Sequence, residues 1–239
     1  MAAVERPIIE KIEFQNLSFT HPGHDPILEN CSFEFPLNSI CWIKAETGVG
    51  RSTLFQLISA LQMPNSGNYL LNGQIVNDMS FEEFLPYRLS IGYGFDYGGL
   101  INNRTLVENL MLPLQYHKVL PYLEAKNRVE RYMIQLGILK YAGLRPAMVQ
   151  GAVRKITCLI RALVLHPQIL LLDDPTVGLS PEVAAQFFEI IVDLRKKKQI
   201  RHVFITSLDV GWMNKISTIQ IHLAESTLNF NRKEKVVGL

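Results

Sequence analysis

Residues 45–53 read Ala45, Glu46, Thr47, Gly48, Val49, Gly50, Arg51, Ser52, Thr53, and they lie between a short apolar run, SICWI (39–43), and a helically spaced apolar set, Leu54, Leu57, Ile58 and Leu61. The order is therefore strand, glycine-rich loop, helix. Such a loop lets successive backbone N–H groups turn toward one anion, while the helix that follows adds positive potential at its N-terminus. The phosphate-loop pattern GxxxxGK[ST] is met at Gly50 and Ser52, with Ala45 in the place of the first glycine and Arg51 in that of the lysine. Taken alone, the segment is equally an ordinary glycine turn before a core helix.

Working outward, IIEKIEFQNLSF (8–19), ILENCSFEF (27–35) and SICWI are short apolar or alternating pieces separated by turn residues. They predict a small β layer leading into a buried strand. The helix after Arg51 is expected to end by Pro64-Asn65-Ser66-Gly67. From about 81 to 165 the pattern is mostly helical, with Val129, Tyr132, Met133 and Leu136 on one apolar face and Ile156, Leu159, Ile160, Leu163 and Val164 on another. This stretch reads as a helical insertion. An apolar strand follows at Ile169–Leu172, then a helix from Pro181 carrying Val183, Phe187, Ile190, Ile191 and Leu194, then a strand at His202–Thr206. Alternation of this kind predicts a parallel sheet covered on both faces.

The strand at 169–172 ends in Asp173-Asp174, and an acidic pair at the tip of a buried parallel strand is where a magnesium ligand and a base sit beside a phosphate loop. On these residues the chain resembles the ATP-binding-cassette (ABC) ATPases: ILLLDDPTVGLSP (169–181) is similar to their Walker B and D-loop segment. Gln150, Gly151 and Ala152, before VRKITCLIRALVLHP, resemble the signature motif, which reaches across a dimer to the nucleotide of the other subunit. His21 takes the place of the aromatic that stacks on adenine. Asp96 takes that of the Q-loop glutamine, and Leu208, or Ser207 under a one-residue shift, that of the switch histidine. The resemblance spans residues 8–230. Within the family, GGLINNRTLVENLMLPLQY (98–116) resembles the helical region of members that handle phospholipids or lipoproteins, and of the division-associated member.

The resemblance implies a P-loop NTPase (RecA-like) α/β core with a mainly parallel sheet, an N-terminal antiparallel β layer and an inserted helical subdomain. The whole chain would be one ABC domain, its core at about 8–80 and 166–239 and its helical subdomain at about 81–165. It further implies ATP held by His21, Ala45, Gly48, Val49, Gly50, Arg51, Ser52, Thr53, Asp96 and the signature residues, with Mg2+ on Ser52 and Asp173. Implied partners are an integral membrane permease and a second ABC subunit, in a homo- or heterodimer on the cytoplasmic face of the inner membrane.

Several positions depart from the pattern in ways that bear on hydrolysis. Arg51 keeps the charge of the P-loop lysine but carries a wide planar fork that does not fit the same channel. Loss of one transition-state donor costs about 100- to 1000-fold. Asp174 is one methylene shorter than the family's glutamate, and a displacement of about 1 Å costs roughly 100-fold. Leu208 has no imidazole, Gln150 no serine hydroxyl, Asp96 adds a negative charge, and Ser180 replaces the D-loop aspartate. The expectation is a degenerate nucleotide-binding subunit, at best a slow ATPase, with a non-hydrolysing scaffold or regulatory subunit as the alternative.

Composition is consistent with this and excludes other classes. A chain of 239 residues, 48% hydrophobic, buries a sizeable core. A net charge of +2 is too mild for nucleic acid, and the run Arg195-Lys196-Lys197-Lys198 reads as a solvated helix end favoured by the helix dipole. Tandem cassettes or coiled-coil arms, the mark of the translation and DNA-repair members, are not seen. Cys31, Cys41 and Cys158 have no paired spacing and read as buried free thiols in a reducing compartment. No run approaches the roughly 18 apolar residues of a membrane span, and MAAVERPIIEK is not a signal peptide, so a cytoplasmic protein with a membrane partner is expected.

Overall fold

A computed structural model describes residues 5–46, 48–96 and 99–232, with the side chains of 230–232 excepted. Thr47 of the glycine loop, Tyr97 and Gly98 of the segment after Asp96, and the first four residues lie outside the described residues. In chain order the strands are β1 (Ile12–Phe19), β2 (Leu28–Glu34), β3 (Ile40–Lys44), β4 (Ser66–Leu71), β5 (Gln74–Ile75), β6 (Ile91–Gly94), β7 (Ile169–Asp173), β8 (His202–Thr206), β9 (Ile219–Ala224) and β10 (Thr227–Arg232). The helices are α1 (Arg51–Ile58), α2 (Phe81–Arg88), α3 (Leu106–Tyr116), α4 (Tyr122–Gln135), α5 (Gly151–Leu163), α6 (Pro181–Lys196) and α7 (Val210–Ile216). The chain divides into two compact units, Pro7–Arg88 with Arg201–Leu239, and Met1–Arg6 with Leu89–Ile200.

The first of these units carries the N-terminal layer, an antiparallel sheet in the order β2-β1-β4-β5. Its inner face is aromatic. Phe14 sits edge-on to Phe35 and to Tyr69, with ring centroids at 5.0 and 5.6 Å. Strand β3 pairs parallel with both β8 and β9, and β9 pairs antiparallel with β10. Burial of Ile40, Cys41, Trp42 and Ile43 in succession is what a strand covered on both faces requires. Helix α1 is shorter than its apolar spacing implies. It ends at Ile58, Ala60 turns into the left-handed region at φ 51°, and Leu61 is left exposed.

In the other unit β6 and β7 pair parallel, Ile91 opposite Ile169 and Gly94 opposite Leu172. The two apolar helix faces expected at 129–136 and 156–164 are buried as expected. Strand β6, by contrast, falls inside the stretch expected to be mostly helical. Its sequence, Ile91-Gly92-Tyr93-Gly94, is short, and glycine argues against a strand by propensity. Packing decides the matter: a Cβ on Gly92 would lie 2.2 Å from the Ala162 carbonyl oxygen of α5 and 2.7 Å from Pro167 Cγ. Only glycine allows strand and helix to approach that closely.

Helix α3 begins with a full capping box, Thr105 accepting from the Glu108 amide while Glu108 receives the Thr105 amide. Helix α6 ends in Arg195 and Lys196, and Lys196–Lys198 are exposed, the solvated basic terminus expected. All three cysteines are buried free thiols. No helix among the described residues is long and apolar enough to cross a membrane. The class inferred from the sequence is the one observed: a P-loop α/β core with mainly parallel strands, an antiparallel N-terminal sheet, and the helical insertion of α3 and α4.

Candidate nucleotide-binding site

Residues of the phosphate-loop pattern lie in the unit that holds β3. The strand is anchored by Trp42, whose indole N–H donates to the Ser207 carbonyl at 3.1 Å, so the loop leaves a fixed end. Gly48 and Gly50 have φ of 87° and 106°, a region glycine enters without a Cβ penalty. Gly50 is also the N-cap of α1, where no side chain occupies the cap position and the first turn contains no acidic residue. The first-turn amides of α1 therefore meet no carboxylate of their own helix, the arrangement an anion needs. Ser52 is exposed there, while Thr53 is buried.

His21 stands beside this helix end. Its Nε2 lies 3.1 Å from Thr53 Oγ1, and its ring packs edge-on to Phe19 with centroids 4.9 Å apart. The ring is thus held from two sides. Leu208, two residues past the end of β8, is 61% exposed. Its neighbour Ser207 is 5% exposed, and the Ser207 hydroxyl accepts from the Asp209 amide at 3.1 Å. Leu208 therefore, and not Ser207, presents its side chain outward. Ala45, Glu46, Val49, Ser207, Leu208, Lys44 and His222 line one cleft of about 660 Å³. Sequence reasoning missed Lys44 and His222: the first sits over the Trp42 ring at 4.7 Å, and the second reaches the cleft through the β3–β9 pairing of Lys44 with His222.

The acidic and signature residues lie in the other unit. Strand β7 is buried along its whole length, and Asp173 at its tip is 3% exposed, with the Tyr93 hydroxyl donating to Asp173 Oδ2 at 3.5 Å. Burial, reinforced by the Asp173 carboxylate, pushes the Tyr93 phenol far above its ordinary value, so it remains a donor. Asp174 adopts φ 40°, a left-handed conformation that aspartate tolerates better than bulkier residues, and this turns the chain away from the strand direction.

Gln150 is the N-cap of α5 but makes no side-chain capping bond; Arg154 braces the turn instead, donating to Val149 O at 2.8 Å. Gly151 and Ala152 share a cavity of about 590 Å³ with Asp96, Arg154, Lys155, Cys158, Val177 and Gly178. The structure thus brings Asp96 together with the signature-like residues. Ser180 has a local role, since its hydroxyl caps α6 by accepting from Val183 N at 3.4 Å.

Lys155 was not singled out by sequence reasoning. It is 8% exposed, and its ammonium donates to Asp96 Oδ1 at 3.2 Å, Asp96 O at 3.2 Å, Phe95 O at 3.4 Å and Asp173 O at 3.1 Å. The extra negative charge expected at Asp96 therefore comes with its own cation. The sequence signal was a lysine inside an apolar helix and an acid in the Q-loop place, two departures of opposite charge.

The model of the family described as ABC transporter matches residues 28–177. The methionine import ATP-binding protein MetN of Carboxydothermus hydrogenoformans is 30% identical over 82% of this chain, which spans 58% of that protein. The ABC transporter ATP-binding protein YtrE of Bacillus subtilis is 31% identical over 82% of this chain and 85% of its own length. Among solved structures, a dimeric bacterial ABC transporter cassette superposes with a TM-score of 0.83 at 22% identity, covering 92% of this chain and 98% of the other. A post-hydrolysis cassette dimer bound to ADP and Pi superposes at 0.82 with 20% identity.

Proposed function

This chain belongs to the ABC transporter family, and from that premise we propose that it is a degenerate nucleotide-binding subunit: it binds Mg-ATP weakly, turns it over slowly or not at all, and works beneath a membrane permease. ATP and Mg2+ are the ligands this fold binds in the family. The observation that supports the reading is the glycine loop, where Gly48 and Gly50 have the positive φ that a loop turning its amides toward an anion uses, and Arg51 opens α1.

In this reading the first-turn amides of α1 would hold phosphate oxygens and His21 would stack on the base; Ser52 and Asp173 are the residues the family resemblance assigns to Mg2+, which would supply charge neutralisation on the phosphates. Arg51 supplies positive charge but not the slim point charge of a lysine. Asp174 orients water less well than a glutamate, and Leu208 offers no proton-bearing group to the γ-phosphate. Gln150, Gly151 and Ala152 serve the nucleotide of a second subunit. A homodimer would repeat the same losses in both sites. The losses at Asp174 and Leu208 bear on the reacting γ-phosphate and raise the transition state more than they weaken ground-state binding, so binding outlasts hydrolysis.

The helical stretch at 81–165 is the face we assign to a permease, and the chain as one ABC domain peripheral to the cytoplasmic side of the inner membrane. The naming of MetN and YtrE as ATP-binding proteins of transporters supports a transporter subunit over a free-standing enzyme. For the transported class, the resemblance of 98–116 to members handling phospholipids or lipoproteins favours an amphiphile.

The test is calorimetry with ATP, with and without magnesium, on the wild type and on Arg51→Lys. Magnesium-dependent binding that tightens in the variant is expected. If neither protein binds at millimolar nucleotide, the scaffold reading replaces this one. A tagged chain that brings down no permease from native membranes would count against the transporter role.

A further inference from the structure

A buried lysine is unusual unless its ammonium is paired and its donors are used. On α5, four residues past Gly151, Lys155 satisfies both conditions at once. Its three N–H groups share four acceptors: the carbonyls of Phe95 and Asp96 and the Asp96 carboxylate, on the chain leaving β6, and the carbonyl of Asp173 at the tip of β7. The side chain of Lys155 is 8% exposed and that of Asp96 43%, so the pair has one foot in the interior and one in solvent. Helix α5, the end of β6 and the end of β7 therefore meet at a single nitrogen.

We propose that Lys155 is a positioning residue: its ammonium takes Asp96 as counter-ion and staples the tip of β7, which carries the magnesium-ligand candidate Asp173, to the helix that follows the signature-like turn. The proposal rests on the nucleotide-binding reading for what the staple serves. Asp96 is thereby committed to Lys155 and not to a metal ion. A charge on the Q-loop position and a charge on α5 are one device: without Asp96 the Lys155 ammonium is left buried and uncompensated, and without Lys155 the carbonyls of Phe95, Asp96 and Asp173 lose their shared donor.

The chemistry is local. Truncating Lys155 to Met removes the ammonium from the Asp173 carbonyl, so the strand tip loses a tether and its carboxylate loses a fixed orientation. Replacing Asp96 by Asn leaves a buried ammonium facing neutral acceptors only. Replacing both, as Lys155→Gln with Asp96→Asn, restores charge balance and keeps hydrogen-bonding groups on both sides.

The experiment is a double-mutant cycle on the full chain, Lys155→Gln and Asp96→Asn singly and together, with Lys155→Met added for the second of two readouts. Thermal unfolding without nucleotide should show each single variant destabilised and the pair partly rescued, with a coupling of about tenfold in the unfolding equilibrium, which is about 1.4 kcal/mol. Additive effects overturn the staple, whether or not the chain binds nucleotide. The second readout is the magnesium concentration at half-maximal enhancement of ATP binding, measured at a temperature where every variant is folded. Lys155→Met should raise it several-fold. An unchanged midpoint in Lys155→Met, with coupling present, leaves Lys155 a purely structural residue and overturns its positioning role. A wild type that binds no ATP fails the nucleotide reading and removes the ligand the staple is said to position, while the stability cycle still decides whether the staple exists.

Discussion

Gly50→Ala tests the phosphate loop at the point where its geometry is most demanding. At φ 106° a Cβ is strained, which costs about 1–2 kcal/mol for an L residue in left-handed space. The added methyl would also lie 2.6 Å from Ile27 Cγ2 and 3.0 Å from Cγ1 and Cδ1. Ile27 is only half-buried, so it yields by leaving its rotamer well at about 0.5–1.5 kcal/mol. Together these predict a loss of about 2–3 kcal/mol, or roughly 5–10 °C in Tm for a chain of this length. Gly48→Ala is the internal control. It has φ 87° but nothing within 4 Å of its Cβ, so only the backbone strain of about 1–2 kcal/mol applies. The assay is calorimetric unfolding of both variants, each alone and with Ile27→Ala. Truncating Ile27 to Ala removes all three clashing carbons and should rescue part of the Gly50→Ala loss and none of the Gly48→Ala loss. Equal losses at 48 and 50, or no rescue, would refute the account of Gly50 as held against Ile27.

Other outcomes follow from particular contacts. Gly92→Ala places a methyl 2.2 Å from the Ala162 carbonyl oxygen, which as helix backbone cannot give way, so about 3 kcal/mol or more is lost in urea unfolding; Gly143→Ala, with open space around its Cβ, changes stability by no more than about 0.5 kcal/mol. Asn109 receives the Ile101 amide at 2.7 Å and donates to Ile101 O and Thr105 O at 3.1 and 2.9 Å, so Asn109→Ala should cost about 2–3 kcal/mol and speed hydrogen exchange at the Ile101 amide. Burial, with Arg128, Arg131, Arg6 and Lys197 around it, lowers His166 to about 4 from an ordinary value of about 6.5. The unfolded chain then binds the proton more tightly, so this residue withdraws stability as pH falls from about 6.5 to about 4 and adds no further slope below that; His166→Asn, which suits φ 49°, should flatten that part of the stability curve.

The fold was legible wherever periodicity and punctuation agreed. Strands 12–19, 28–34, 40–44, 169–173 and 202–206 and the helix from Pro181 stand where alternation, apolar runs and turn residues put them. Strand β6 was not legible, because two of its four residues are glycines whose reason for being there is a helix sixty residues later in the chain. The early stop of α1 was hidden for a similar reason: Leu61 keeps the helical spacing, yet its side chain is 44% exposed and has no core to enter.

For the candidate site, motif order was enough to find the loop, the acidic strand tip and the signature-like turn. The partners of those residues were not readable from spacing. Ser180 proves to be a helix cap, Ser207 is turned inward beneath Leu208, and Asp96 answers to Lys155. The last two depend on which of two adjacent side chains faces inward, or on a contact between segments far apart in sequence, and a single sequence carries neither directly; the Ser180 cap is local, and the resemblance to a D-loop drew attention away from the serine-proline helix start.

The central claim, binding without ordinary turnover, is tested most directly by measuring phosphate release from the purified chain at an ATP concentration shown by calorimetry to saturate it in the presence of magnesium. The account predicts saturable, magnesium-dependent binding and a steady-state turnover far below that of a competent ABC ATPase assayed alongside, rising when Arg51→Lys and Asp174→Glu are introduced together. Ordinary transporter-level turnover by the wild-type chain would contradict it.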